Sequence, residues 1–132
     1  MTRAAQSGFW QRRPARRLPL PIERRTHIAI ADLLRLRAHR KGWWFSHVPL
    51  GEHRSEKTGA LLRRMGTQAG MLDFLLIAPT GQHHWLELKR GSAPLTEAQQ
   101  AFIEQLERRG VPWFVARDYA AAVKQLKAWD VL

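Results

Sequence analysis

The sequence has no cysteine, which excludes a disulfide framework and a thiolate-bound zinc centre. Acidic residues are scarce, 11 against 22 lysines and arginines, giving a formal charge of +11 and a pI near 11.5. That balance selects a polyanionic partner, nucleic acid ahead of an anionic membrane. No apolar run approaches the ~20 residues needed to span a bilayer, so a membrane protein is not expected. With no thiols the redox compartment stays open, and a bacterial-type cytoplasmic location is the default expectation. What is present is a chain of 132 residues, long enough for one domain with a real core, without internal repeats or a second domain.

The most informative stretch runs from Gly70 to Arg90. Met71 to Ala78 is apolar except for Asp73, and a run of that length ending in Pro79-Thr80-Gly81 predicts a strand buried on both faces. The following segment alternates, with Trp85, Glu87 and Lys89 on one face and His84, Leu86 and Leu88 on the other. A three-residue loop ending in Gly suits a hairpin whose register pairs Ala78 with Gln82. Counting back sets Asp73 opposite Glu87. Opposed side chains lie about 4.5–5.5 Å apart at Cβ, and like charges there repel. Two carboxylates so placed invite a divalent cation, with Lys89 one step along the same face, and oxygen ligands favour Mg²⁺ or Mn²⁺ over zinc. A salt-bridged cluster on a solvated face is the competing reading of the same three residues.

Around the hairpin the chain reads as alternating helices and strands. Residues 1–20 carry five arginines, two prolines and no acid, a basic arm suited to phosphates. A helix follows from Pro21, with Ile22, Thr26, Ala29, Ile30, Leu33 and Leu34 as its apolar stripe, ending near Arg40 to Gly42. Glu23 and His27 lie one turn apart at the edge of that stripe. Glu23 serves equally as a first-turn acid at the helix dipole or as a further carboxylate for the hairpin. Trp43 to Val48 predicts the first strand, with Trp43 and Trp44 read as core or interface residues, the core favoured. Residues 51–69 form a long basic connection bearing Arg54, Lys57, Arg63 and Arg64, with a short helix within 55–65. Histidines 47, 53, 83 and 84 lack a zinc spacing and are read as surface or sheet residues. Thr96 with Gln99 makes a capping box, so a helix runs from there to Arg109, closed by Gly110, with Ala98, Phe102 and Leu106 inward. Gln99 is thus either a cap partner or a site residue. Pro112 to Ala116 is a strand parallel to its neighbour, and Asp118 caps a last helix that turns Ala122, Val123 and Leu126 inward.

In this order and at these distances, Glu23, His47-Val48-Pro49, Arg64-Met65-Gly66, Gly70-Met71-Leu72-Asp73, Glu87-Leu88-Lys89 and Leu95-Thr96-Glu97-Ala98-Gln99 resemble the VRR-NUC branch of the PD-(D/E)xK nucleases. The resemblance spans about Glu23 to Leu126 and implies an α/β fold with a restriction-endonuclease-like αβββαβ core, a mixed sheet flanked by helices. It would make residues 21–132 the nuclease domain behind the basic arm. Carried over, Asp73 and Glu87 would ligate Mg²⁺ or Mn²⁺ with the backbone carbonyl of Leu88, Glu23 would support the metal shell, Lys89 would activate water, and Gln99 would hold the geometry. Arg54, Lys57, Arg63, Arg64 and Arg90 would contact nucleic acid. Stand-alone members resemble Holliday-junction resolvases, so branched DNA and a homodimer are expected. Leu72 departs from the proline usual before the Asp. The alternatives are a non-catalytic nucleic-acid binder that kept the fold, and an RNA-cleaving enzyme.

Overall fold

Helix α1 (Ile22–Arg37) starts at Pro21, whose extended backbone turns its carbonyl onto the Arg25 N–H at 3.0 Å. The computed structural model describes residues 21–50 and 55–132, so the basic arm, His53 and Arg54 lie outside the described residues. Along α1 the sequence stripe is only partly realised: Ile30, Ala31 and Leu34 are buried, but Ile22 is 53% exposed. The first turn overhangs the sheet, and there Ile22, Glu23 and Thr26 wall a cleft. A 3-10 turn (Ala38–Lys41) and Gly42, at φ 79°, close the helix where its pattern ends.

Four strands follow in the spatial order β1-β2-β3-β4: β1 (Trp44–His47), β2 (Phe74–Ile77), β3 (His83–Leu88) and β4 (Trp113–Ala116). The first three pair antiparallel and β4 lies parallel to β3, as its preceding helix predicts. Trp43 is buried and donates its indole N–H to the Asp130 carbonyl at 3.0 Å, whereas Trp44 is 56% exposed, against the core assignment. Adjacent strand residues point to opposite faces, and on this edge strand the second face meets solvent.

In the β2–β3 ladder, Phe74 pairs with Leu86 and Ile77 with His83, and the Ala78 N–H reaches the Gln82 carbonyl at 2.9 Å. This is the predicted register. Phe74, Leu76 and Leu86 are fully buried. At roughly 1.5–3 kcal/mol each they hold it, because a one-residue slip of β2 would turn Phe74 and Leu76 to the other face of the sheet, away from Leu86. The same register brings Asp73 to Glu87. Strand β2 itself is shorter than the apolar run: it begins at Phe74 and alternates buried with half-buried residues. At Asp73 side chains take over from the ladder, and its carbonyl turns to the Val48 N–H at 2.8 Å.

Helices cover both faces. Ile30 and Leu34 of α1, with Ala122 and Leu126 of α4 (Tyr119–Ala128), pack on Phe74, Leu76 and Leu86. Asp118 caps α4 through the Ala121 N–H at 2.7 Å, and Val123 is half-buried rather than central. On the other face α3 (Glu97–Arg108) sets Ile103 and Leu106 against Leu72 and Trp85, while Phe102 meets Trp85 edge-on and is half-buried, like Ala98. Leu72 is fully buried in this cluster, so the residue standing where a proline is usual serves as packing. Between β1 and β2, α2 (Glu56–Arg64) is capped by Ser55 and buries none of its residues.

Candidate functional site

The end of the β2–β3 hairpin is fastened by two acidic side chains. Glu87 Oε2 accepts the Asp73 N–H at 2.9 Å, and Asp73 Oδ2 accepts the Leu88 N–H at 2.8 Å. Each carboxylate therefore satisfies a backbone donor next to the other. Lys89 Nζ stands 3.5 Å from Glu87 Oε1. Glu87 is only 4% exposed. Its pKa is pushed up to about 7, first by burial and then by the Asp73 charge, against the opposing pull of Lys89, Gln99 and the Asp73 N–H. One lysine does not offset two carboxylates.

Gln99 completes this arrangement from α3. Its Oε1 accepts the Thr96 N–H at 3.1 Å as half of a capping box, which fixes the amide so that Nε2 donates to Glu87 Oε1 at 2.9 Å. The cap-partner reading of Gln99 is realised, and the same side chain also reaches Glu87. The approach of α3 depends on Gly70, which sits at φ 86°. A Cβ there would overlap the Ala98 carbonyl and lie 2.7 Å from the Gln99 nitrogen.

Glu23 stands elsewhere. Helix α1 lies on the face opposite Glu87, and Glu23 is exposed on its first turn, lining a cleft of about 120 Å³ at the sheet end with Thr26, Leu88, Lys89, Arg90 and Arg117. It borders the Leu88–Lys89 edge of the site without a hydrogen bond to Asp73 or Glu87 among the described residues. Arg90 is exposed at the same cleft, and Lys57, Arg63 and Arg64 are exposed on α2.

Two histidines join the site that sequence reasoning left aside. Ligand atoms of His27, His47 and Asp73 all lie within 4.8 Å of one another. His47 ends β1 opposite Phe74, and its Nδ1 lies 2.8 Å from the Asp73 carbonyl. His27 stacks on Phe74 with centroids 4.5 Å apart and meets the edge of His47 at 4.4 Å. Burial lowers the His27 pKa, outweighing the upward pull of Asp73, and His47 lowers it further. His47 is a sheet residue as read, and the β1–β2 pairing also sets it beside Asp73, which spacing alone did not indicate. The available signal was the Glu23–His27 turn facing a strand that ends in histidine. His84 is different: it packs between Trp43 and Trp129 in the core, where burial lowers its pKa.

Comparison with known proteins gives the same outline. A family profile described as "VRR-NUC domain" matches residues 24–118. A solved structure titled "VRR_NUC domain protein" superposes with TM-score 0.65 at 20% identity, covering 85% of this chain and 90% of its own. Another, titled "VRR_NUC domain", gives TM-score 0.54 at 18% identity, covering 78% and 95%. These likenesses are of fold, an α/β architecture with a mixed sheet flanked by helices. Among curated proteins none matches the sequence.

Proposed function

The chain belongs to the VRR-NUC domain family, and from that premise we propose that it is a divalent-metal-dependent endonuclease that hydrolyses phosphodiester bonds in DNA, with branched DNA as the substrate class to test first. The observation that carries this reading is the Asp73–Glu87 pair, two carboxylates fastened to each other's backbone with Glu87 buried and its pKa raised to about 7. A pair of one buried and one half-buried carboxylate with that excess of negative charge fits a hard cation, Mg²⁺ or Mn²⁺, which would be held by Asp73 and Glu87 with the Leu88 carbonyl, and with Glu23 as a further carboxylate at the cleft edge. Such an ion, when bound, would offset charge developing on the phosphate oxygens and lower the pKa of its water.

The remaining work belongs to the chain. Lys89, 3.5 Å from Glu87, holds the attacking water and places a positive charge beside the phosphate. The water oxygen forms a new P–O bond and gives up a proton to solvent, the opposite P–O bond breaks with its electron pair on the departing oxygen, and that oxygen takes up a proton from solvent. Gln99 keeps Glu87 in one rotamer through its 2.9 Å bond, which makes it a positioning residue. Arg90 at the cleft, Lys57, Arg63 and Arg64 on α2, and the basic arm supply phosphate contacts, which orient a duplex with little base reading. A homodimer would present two such sites to the two strands of a junction.

Cleavage of linear duplex, flap and four-way-junction DNA, with matched RNA in parallel, is the test, in Mg²⁺, Mn²⁺ or EDTA. The expected result is metal-dependent DNA cutting that is abolished in Asp73→Ala and Lys89→Ala while DNA binding persists. Binding without cutting under every metal condition would instead make the protein a non-catalytic DNA binder.

A further inference from the structure

We infer that His27, His47 and Asp73 form a second divalent-cation site, one that takes a borderline transition ion such as Mn²⁺, Co²⁺ or Zn²⁺ and shares Asp73 with the carboxylate pair. The sharing of Asp73 rests on the function proposed above; the site itself rests on its own ligands.

The three ligand atoms lie within 4.8 Å of one another, and among the described residues no ion pair joins either imidazole to Asp73. Two ligands bound at about 2.0–2.1 Å on opposite sides of one ion are at most about 4.2 Å apart, so side-chain shifts under about 1 Å bring this set to bonding distance.

The protonation pattern suits a metal. A carbonyl only accepts, so the 2.8 Å contact of His47 Nδ1 with the Asp73 carbonyl requires Nδ1–H. The lone pair then lies on Nε2, in the arrangement by which backbone carbonyls behind a ligand orient metal-bound imidazoles. Asp73 spends Oδ2 on the Leu88 N–H and keeps Oδ1. His27 is held by stacking on Phe74 at 4.5 Å, and among the described residues no hydrogen-bond partner uses its ring nitrogens. All three side chains are half-buried, shielded enough to strengthen ligation yet open to an entering ion. Two imidazole ligands and one carboxylate favour borderline ions over Mg²⁺, which prefers oxygen. The two halves of the site thus differ in metal preference.

Co²⁺ is the probe, because nitrogen ligands give its visible absorption bands a recognisable signature. The full-length protein, freed of metal, is titrated with Co²⁺ and followed by absorption and calorimetry, for wild type, His27→Gln, His47→Gln and Glu87→Gln. The expected result is a nitrogen-ligand spectrum that survives in Glu87→Gln. In both histidine variants it should be lost, with binding weakened by at least the 10–100-fold typical of removing even a residue that only supports a ligand. Circular dichroism checks folding. Should His47→Gln unfold, ¹⁵N NMR of wild type with Zn²⁺ replaces it, and both His27 and His47 nitrogens should shift. A His27→Gln protein with wild-type spectrum and affinity would overturn the site. Failure of Mg²⁺-dependent DNA cleavage beside intact Co²⁺ ligation would overturn only the nuclease reading, and the reverse pair of results only the second site.

Discussion

Replacing Glu87 by Gln should invert its effect on stability between acidic and alkaline pH. A carboxyl whose pKa rises from 4.5 to about 7 on folding binds more protons folded than unfolded across that window, so its contribution falls as pH rises through it. At pH 8 without metal, that displacement of about 2.5 pH units corresponds to roughly 3 kcal/mol of destabilisation, at about 1.4 kcal/mol per unit. A neutral amide at this position would remove it. The amide keeps one acceptor where the carboxylate had two, so either the Asp73 N–H or the Gln99 Nε2 loses its partner, at about 1–2 kcal/mol. Glu87→Gln is therefore expected to be about 1–2 kcal/mol more stable than wild type at pH 8 in EDTA and less stable by a similar amount at pH 4.5. Urea denaturation at both pH values measures this directly. Saturating Mg²⁺ should reverse the order at pH 8, because an ion at 100 times its Kd adds about 2.7 kcal/mol to wild type alone. A difference of the same sign and size at both pH values would refute the account of Glu87 as a buried carboxylate lacking compensation.

Gly70→Ala forces a side chain into positive φ and onto the Ala98 carbonyl; about 2–5 kcal/mol should be lost in urea denaturation, and an unchanged midpoint would refute the close approach. Gln99→Ala removes half of a capping box and the Glu87 bond, so calorimetry should find metal binding weaker by about 10–100-fold and denaturation a stability loss of about 1 kcal/mol. Replacing Lys57, Arg63 and Arg64 together by Ala should flatten the slope of log K against log salt for duplex DNA by up to about 2.7, at about 0.9 per phosphate contact. A slope equal to wild type would remove α2 from the DNA-binding surface.

The hairpin was legible because its information is local: the Pro79-Thr80-Gly81 loop sets the register, and the register sets Asp73 against Glu87. The order of elements and the parallel β4 followed from periodicity and from the helix that precedes it. The extent of β2 did not, since an apolar run says nothing about where side chains replace ladder bonds, and this happens at Asp73. Trp44 was misplaced because composition cannot tell which face of an edge strand is covered. His27 and His47 escaped for a related reason. They are 20 residues apart in sequence and meet only after β1 pairs with β2 and α1 packs on Phe74, two tertiary events that no spacing rule encodes.

The bonds running from Thr96 through Gln99 and Glu87 to Asp73 and Leu88 form a chain of fasteners between the start of a helix and the mouth of a hairpin. The carboxylates at its centre are structural rivets as well as candidate ligands. A chain of this fold that carried out no chemistry here could not shed those acids freely, because the joint would open with them. Its sequence would have to supply replacement donors and acceptors at the same seam, so changes at positions 73, 87 and 99 are coupled, and these residues are held in place by the joint alone.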